Sequence, residues 1–378
     1  MGLDPAKSTD KFLKSIEISF KWMVLVWFVA LGGVRRQSRK FDPRKLRRVL
    51  FVRHDKLGDM IVSLPVFHNL KRFFPEIEID VLCGRDNNMI IAHDPHISRI
   101  TYYTKKPFSD LKRILDMRRR KYDAIVDMTF GESVTATMLM SLIGPGAFKL
   151  GAGKSRLSDL FDLTVGASVS HGPHIIESTA TVLTLFGIPL SSCDLIPRMY
   201  LVEQDEVKGK RFADTLRTTH EQLIGINLSA GRPARTWPVE SYVELLRLML
   251  QRFPKVCFVL SASPSERWKI DRVTSVHSER IYAAPAGLSI REIAGLLKNL
   301  DYLITPDTSI GHIAGCVNLP TLVMYPGNME NFAVWRPFNP CVKAINSPHF
   351  YRIEYLEPEP VFEAFCRTVV DARTPAVK

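Results

Sequence analysis

From Arg48 onward the chain alternates short β-branched runs with amphipathic stretches, and it completes that cycle twice. Val49–Val52 reads as a strand, Met60–Phe73 as a helix and Ile77–Leu82 as a strand. Ile100–Thr104, Leu111–Arg119, Ala124–Met128 and Val134–Leu142 continue as strand, helix, strand and helix. After a helix over 175–186 comes a loop-like stretch from Gly187 to Pro197, and then the pattern restarts. Ile224–Leu228, Val256–Leu260, Ile281–Ala284, Tyr302–Thr305 and Thr321–Tyr325 are strands. Helices over Tyr242–Phe253, Glu266–Val276 and Ile290–Leu297 lie between them, and Glu359–Val370 forms a terminal helix. Such alternation requires βαβ units and parallel sheets. At roughly 100–200 residues per domain, 378 residues make about two domains. Two doubly wound domains bring their strand ends face to face across a cleft, where such sheets bind ligands.

Charge narrows the partners. The chain carries 51 Lys and Arg against 39 Asp and Glu, a formal +12. Residues 1–48 contribute +8 and residues 99–121 contribute +7, so the remainder is slightly acidic. Helix-turn-helix, zinc-finger and RNP patterns are absent from the sequence, which argues against nucleic acid. Two local basic patches suit an acidic lipid surface or a phosphorylated substrate. The second patch contains Lys112, Arg113, Arg118, Arg119, Arg120 and Lys121, and is expected to face a phosphorylated acceptor or the membrane. The six cysteines are widely spaced, with no C-x-x-C and no zinc spacing, so reduced thiols in a cytosolic compartment are expected.

The amino-terminal segment stands apart from the α/β pattern. Its uninterrupted apolar run, Trp22 to Val34, has thirteen residues. As a helix that is ~20 Å, short against a ~30 Å hydrocarbon core. A basic start and an apolar core also fit a signal peptide, but no small-residue cleavage site follows. Trp22, Trp27 and the flanking Lys and Arg favour attachment at a membrane surface. Packing on the protein's own core, dimerisation and true insertion are the competing outcomes.

Three loops carry the chemistry. Strand 49–52 exits into Arg53-His-Asp-Lys-Leu-Gly58-Asp59, which puts Asp59 at a helix start on the sheet's carboxyl edge. There it can cap the helix or act as a general base in the cleft. Strand 224–228 runs into Ser229-Ala-Gly231-Arg-Pro-Ala-Arg235-Thr-Trp-Pro238, whose small residues and arginine can wrap an anion or form a solvated loop over Trp237. Strand 302–305 leads to Pro306-Asp307-Thr308-Ser309-Ile-Gly311-His312 and a helix, whose free N–H groups and dipole suit a phosphate. As alternatives, Asp307–Ser309 cap that helix and His312 is an ordinary first-turn residue. No G-x-G-x-x-G, no G-x-S-x-G, no D-x-D and no H-E-x-x-H occurs, and Gly151-Ala-Gly-Lys154-Ser155 lacks the upstream Walker glycine because that position is Phe148.

These loops, in this order, resemble the heptosyltransferase family (glycosyltransferase family nine) of lipopolysaccharide assembly. The matching stretches are VLFVRHDKLGDMIVSLP from Val49, GINLSAGRPARTWP from Gly225, DYLITPDTSIGHIA from Asp301 and PTLVMYPG from Pro320. The resemblance implies a GT-B fold of two Rossmann-like domains facing a central cleft, with an amino-terminal amphipathic, hydrophobic helical extension outside the match. The parts would be an extension over 1–46, an acceptor-binding domain over 47–190 and a nucleotide-sugar domain over 191–355. A terminal helix and tail over 356–378 would pack back on the first domain. It further implies inverting transfer without a required metal or cofactor, most simply of heptose from ADP-heptose to a lipopolysaccharide-core-type acceptor, at the cytoplasmic face of the bacterial inner membrane. Another nucleotide sugar, a non-lipid acceptor or a sugar-nucleotide epimerase of the same fold are the alternatives. Carried over residue by residue, Asp59 is the general base, and Ser229, Gly231, Arg235, Thr308, Ser309, Gly311 and His312 surround the donor phosphates. Asp307 and Glu266 lie by the sugar and ribose. Two departures stand out: Arg235 where the family has lysine, and Ser309-Ile310 where it has glycine after D-[ST].

Overall fold

Two six-stranded, all-parallel sheets form the frame. The first contains β1 (Arg48–Arg53), β2 (Glu78–Cys83), β3 (Arg99–Tyr102), β4 (Ala124–Asp127), β5 (Phe148–Ala152) and β6 (Leu163–Val165), in the order β3-β2-β1-β4-β5-β6. The second contains β7 (Gln222–Asn227), β8 (Val256–Ser261), β9 (Ile281–Ala283), β10 (Tyr302–Pro306), β11 (Thr321–Tyr325) and β12 (Val342–Asn346), in the order β12-β11-β10-β7-β8-β9. The computed structural model describes residues 36–129, 131–166, 174–276 and 280–373, with 19, 20, 22–27, 29, 30 and 33. The first eighteen residues of the expected extension and the tail 374–378 lie outside the described residues.

Alternating side chains explain why each sheet is covered on both faces. In β1, Val49 and Phe51 enter one buried cluster with Ile79, Val81 and Val126, while Leu50 and Val52 enter another with Leu82 and Ile125. A strand buried on both faces needs an almost continuous apolar run, as β1 has. In both sheets the order reverses beside the first strand, between β1 and β4 and between β7 and β10. Loops diverge from these switch points and leave room for a ligand.

Several elements depart from the sequence expectation. The helix expected over 60–73 is two, Leu57–Ile61 and Leu64–Phe73, because Pro65 in the first turn of the second has no N–H to continue the first. Four elements carry little signature. β5 contains a lysine and a glycine, β6 is three residues at a sheet edge, β12 is a half-exposed edge, and charge masks the apolar stripe of helix Glu203–Arg217. The terminal helix Pro358–Arg373 does not return to the first domain. Its Val361 and Phe365 are buried with Tyr242, Leu246 and Tyr302 of the second domain, where a matching apolar groove lies beside its own sheet. All six cysteines are free thiols.

Helix Glu203–Arg217 and helix Ile290–Leu297 pack at very short range. A Cβ on Gly209 would lie 2.5 Å from the Leu296 Cα, and one on Gly295 would lie 2.1 Å from the Asp205 carbonyl oxygen. At this crossing Arg291 forks onto the Asp205 carboxylate, 2.6 Å at the shortest, and donates to the Tyr200 carbonyl at 2.6 Å and the Met89 carbonyl at 2.9 Å. One buried guanidinium thereby joins the second domain, the linker and a loop of the first. Gly295→Ala is expected to cost about 3 kcal/mol, because the obstructing atom is backbone and cannot rotate away. Denaturant unfolding checks this, and a loss below about 0.5 kcal/mol would refute the close packing.

Candidate active site

β1 ends in Arg53, a fully buried guanidinium at the first switch point. Its Nε donates to the Asp59 carbonyl at 3.0 Å, and Nη1 donates to the Asp55 carboxylate at 3.3 Å and to the Met128 carbonyl at the end of β4. Its Nη2 lies 3.6 Å from Asp59 Oδ1. Asp59 Oδ2 meanwhile accepts the Lys56 N–H at 3.1 Å and closes a capping box on helix Leu57–Ile61. Asp59 thus caps the helix through one oxygen, and its other oxygen lies beside Arg53. His54, alongside, is kept neutral by burial, which lowers its pKa, and burial raises Asp55.

The neighbouring loops are fixed by a second buried pair. Lys154 Nζ lies 2.8 Å from Asp127 Oδ2, both fully buried, and donates to the carbonyls of Thr129 (2.5 Å) and Gly131 (2.8 Å). Glu132 accepts N–H groups from Ser155, Arg156 and Leu157. The glycine-lysine stretch that mimics a phosphate loop in sequence is therefore a brace between the β4 and β5 loops.

Across the cleft, the β7 loop is built from beneath. Trp237 is buried, donates to the Leu356 carbonyl at 2.7 Å and meets Tyr242 edge to face, while the Tyr242 hydroxyl donates to the Asn227 carbonyl. Asn227 in turn donates to Thr305 Oγ1 at 2.9 Å and so ties β7 to β10. Ser229 Oγ accepts the Ser263 N–H at 2.5 Å. Glu266 accepts the Ala230 N–H at 3.3 Å and the Lys269 ammonium at 2.5 Å. Burial would raise the Glu266 carboxyl, but Lys269, Ser229 and Ala230 together hold it below its ordinary value. Glu266 and Gly231 line a cavity of about 520 Å³ with Arg232, Pro233 and Ser265.

Arg235 Nε pairs with Asp307 Oδ2 at 3.0 Å and Nη1 donates to the Asp307 carbonyl at 3.3 Å. Burial raises the Asp307 carboxyl against the opposing pull of Arg235 and Arg232. Thr308 is the N-cap of helix Ser309–Cys316 and accepts the Ile310 N–H. Gly311 lies close under Val323, where a Cβ would approach to 3.1 Å. His312 is lowered to about 4, chiefly by burial and then by His174 and Arg235. At neutral pH it therefore offers an uncharged imidazole.

The two halves meet here. Helix Leu57–Ile61 packs against helix Ser309–Cys316, so Asp59 and the Thr308–His312 turn belong to opposite walls of one cleft. His174 accepts the Ile176 N–H, hydrogen-bonds the Arg336 carbonyl and lies against Phe338 at 4.9 Å, which latches the walls behind the site. Arg53, Lys154, Asn227, Lys269 and His174 carry no role in the sequence reading. Arg53, Lys154 and Asn227 lie inside or beside quoted stretches, and Lys269 and His174 have no local signal.

The second basic patch is not part of this cleft. Helix Pro107–Arg119 starts at the carboxyl edge of β3 and ends at the amino edge of β4, so Arg118 to Lys121 sit at the opposite end of the domain from Asp59. Arg120 is held by Glu78 (2.9 Å) and Asp80 (2.8 Å), Arg113 by Asp110 and Arg119 by Asp116. Lys112, Arg118 and Lys121 remain exposed. Elsewhere His68 and His96 flank Asp94 at 2.7 and 2.8 Å, a set that could hold a cation. As placed, the imidazoles satisfy the buried carboxylate.

Two facing Rossmann-like domains of parallel sheets form the GT-B architecture. Residues 111–360 match the model of glycosyltransferase family 9 (heptosyltransferase), and the chain belongs to that family. The lipopolysaccharide core heptosyltransferase OpsX of Haemophilus influenzae is 20% identical over 74% of this chain and 79% of its own length. Lipopolysaccharide heptosyltransferase 3 of Escherichia coli is 24% identical over 74% of this chain and 82% of its own. A family 9 structure from Veillonella parvula superposes with TM-score 0.76 at 14% identity, covering 88% of this chain and 99% of that one. The E. coli heptosyltransferase WaaC with ADP superposes at 0.67 and 16% identity, covering 85% and 99%. The protein is a glycosyltransferase with the GT-B architecture.

His312 makes a pH prediction. Its unfolded form takes up a proton near 6.5 and its folded form only near 4. Between these values the unfolded chain binds more protons, so stability falls as pH drops through that window and is unaffected above it. His312→Gln should remove about 2 kcal/mol of the stability difference between pH 7 and pH 5. Denaturant titrations at both pH values check it, and equal slopes in wild type and variant would contradict it.

Proposed function

We propose that this enzyme transfers heptose from ADP-heptose to an acceptor of the lipopolysaccharide-core type, with inversion at the anomeric carbon. The observation that carries the reading is the packing of the Asp59 helix against helix Ser309–Cys316, which supports a base and an anion-binding turn facing one another. The names of the relatives, which act on lipopolysaccharide, supply the acceptor class. In the reaction the acceptor hydroxyl gives its proton to Asp59 as its oxygen bonds to the anomeric carbon. The bond from that carbon to the diphosphate oxygen breaks, and the electron pair leaves with ADP.

Charge on the leaving diphosphate is met by Arg235, by the Ser229 hydroxyl and backbone of Gly231, and by the amino end of helix Ser309–Cys316 at Thr308 and Ser309, with Gly311 and the His312 imidazole beside them. Arg235 is held ready by Asp307 and can exchange that carboxylate for phosphate oxygens without leaving its place. Cation and helix terminus supply positive charge from the protein, so the proposal needs no metal or other cofactor. Glu266, on the wall of the 520 Å³ cavity, accepts a ribose hydroxyl. Asp307 lies by the transferred sugar. The enzyme acts at the cytoplasmic face of the bacterial inner membrane as a peripheral protein. No helix among the described residues is long and apolar enough to cross a membrane.

Incubation with ADP-heptose and lipopolysaccharide core oligosaccharide tests the reading, with the product linkage assigned by NMR. An inverted heptosyl product is expected. ADP-heptose consumed without acceptor, or turnover only of a different nucleotide sugar, would replace it by an epimerase or another transferase. In the same assay Arg235→Ala should lower kcat by about 10²–10³. Arg235→Lys should recover part of that, because it keeps the charge and loses the fork.

A further inference from the structure

We propose that one side of the first domain is a lipid-docking face that seats on an anionic bilayer surface; this rests on the membrane-proximal reading above and names the surface responsible. The described residues between 19 and 30 are helical. Leu25, only 2% exposed, belongs to the same buried cluster as Met117, Tyr122, Leu139 and Met140, with Trp22, Val29 and Ile114 packed against it. This segment and helix Pro107–Arg119 therefore lie over the same face of the first sheet. The other side of each is apolar and open. Phe20, Met23 and Trp27 are exposed at helical spacing, Trp27 by 66%. Phe108, Leu111 and Leu115 repeat that spacing on the crossover helix, with Phe108 92% exposed. Two helices on one face of one sheet, each with an outward i, i+3, i+7 stripe, form more apolar surface than scattered exposed residues do.

Charge selects the occupant. Lys105, Lys106, Lys112 and Arg118 lie along or beside the second stripe, are exposed, and have no carboxylate partner among the described residues. An anionic lipid surface complements an apolar stripe edged by lysine and arginine, with Trp27 at headgroup depth. A second copy docked face to face would instead oppose like charges. The geometry also gives the face a use. Phe108 sits at the start of the crossover helix, at the carboxyl edge of the first sheet that also carries Asp59. A bilayer seated on this face reaches the mouth of the cleft on its acceptor side.

Co-sedimentation of the full chain with phosphatidylcholine vesicles, and with equimolar phosphatidylcholine and phosphatidylglycerol vesicles, tests the proposal. The wild type should pellet with the anionic vesicles alone, and less in high salt. The triple variants Phe108→Ser/Leu111→Ser/Leu115→Ser and Phe20→Ser/Met23→Ser/Trp27→Ser should each lower vesicle binding about tenfold, with thermal unfolding unchanged since the replaced groups are exposed. Transfer to delipidated core oligosaccharide should persist in both. Equal pelleting of wild type and both variants, no preference for anionic vesicles, or loss of a dimer in sedimentation velocity with vesicle binding intact would each overturn the docking face. Absence of transfer in the wild type with vesicle binding lost in the variants would instead overturn the assigned reaction and leave the docking face standing.

Discussion

A buried guanidinium cannot be left without partners, and Arg53 orders the first domain's half of the cleft through that requirement. It sits at the end of β1, where strand order reverses, and gathers the Asp59 carbonyl, the Met128 carbonyl and the Asp55 carboxylate around itself. Those groups belong to the loops after β1 and β4, so a single charge sets their spacing. Asp59 inherits its position from this arrangement, with one carboxylate oxygen on the helix cap and the other 3.6 Å from the guanidinium. Lys154 and Asp127 repeat the device one strand further along.

The two walls are built to opposite electrostatic ends. Asp55, Asp59 and Asp127 cluster on the first, with buried cations beside them. On the second, Arg235 and the amino end of helix Ser309–Cys316 face the cleft, and the nearest carboxylate, Asp307, is already paired with Arg235. An attacking hydroxyl needs a proton acceptor and a departing diphosphate needs positive charge, so the proposed reaction uses each wall for one task. The walls are joined by the packing of helix Leu57–Ile61 on helix Ser309–Cys316, by Arg291 across the linker and by His174 beside Phe338.

Periodicity carried most of the frame, because strands buried on both faces need the apolar runs seen in β1, β4, β8 and β10. It failed where an element is stabilised by tertiary contact. β5 survives its lysine and glycine between two paired neighbours, and helix Glu203–Arg217 depends on the Gly209 and Gly295 crossing. At the site, Asp59, Arg235 and the Asp307–His312 turn were legible because they follow strands at the carboxyl edge. Arg53 stood in the same motif, but burial by a distant strand is what gives it a task. The patch over 99–121 was legible as charge and not as direction. Only the course of the crossover helix shows that Arg118 to Lys121 point away from the cleft, and only exposure reveals the apolar stripe among those charges.

The central claim is that Asp59 accepts the proton while the opposite wall carries the departing diphosphate. Single-turnover transfer by Asp59→Asn with saturating ADP-heptose tests it most directly, since asparagine keeps the size and the helix cap and removes the base. With Asp59 as the base, ADP affinity stays equal to wild type and the chemical step slows by about 10²–10⁴. A chemical step at the wild-type rate would leave Asp59 a helix cap and contradict the assignment.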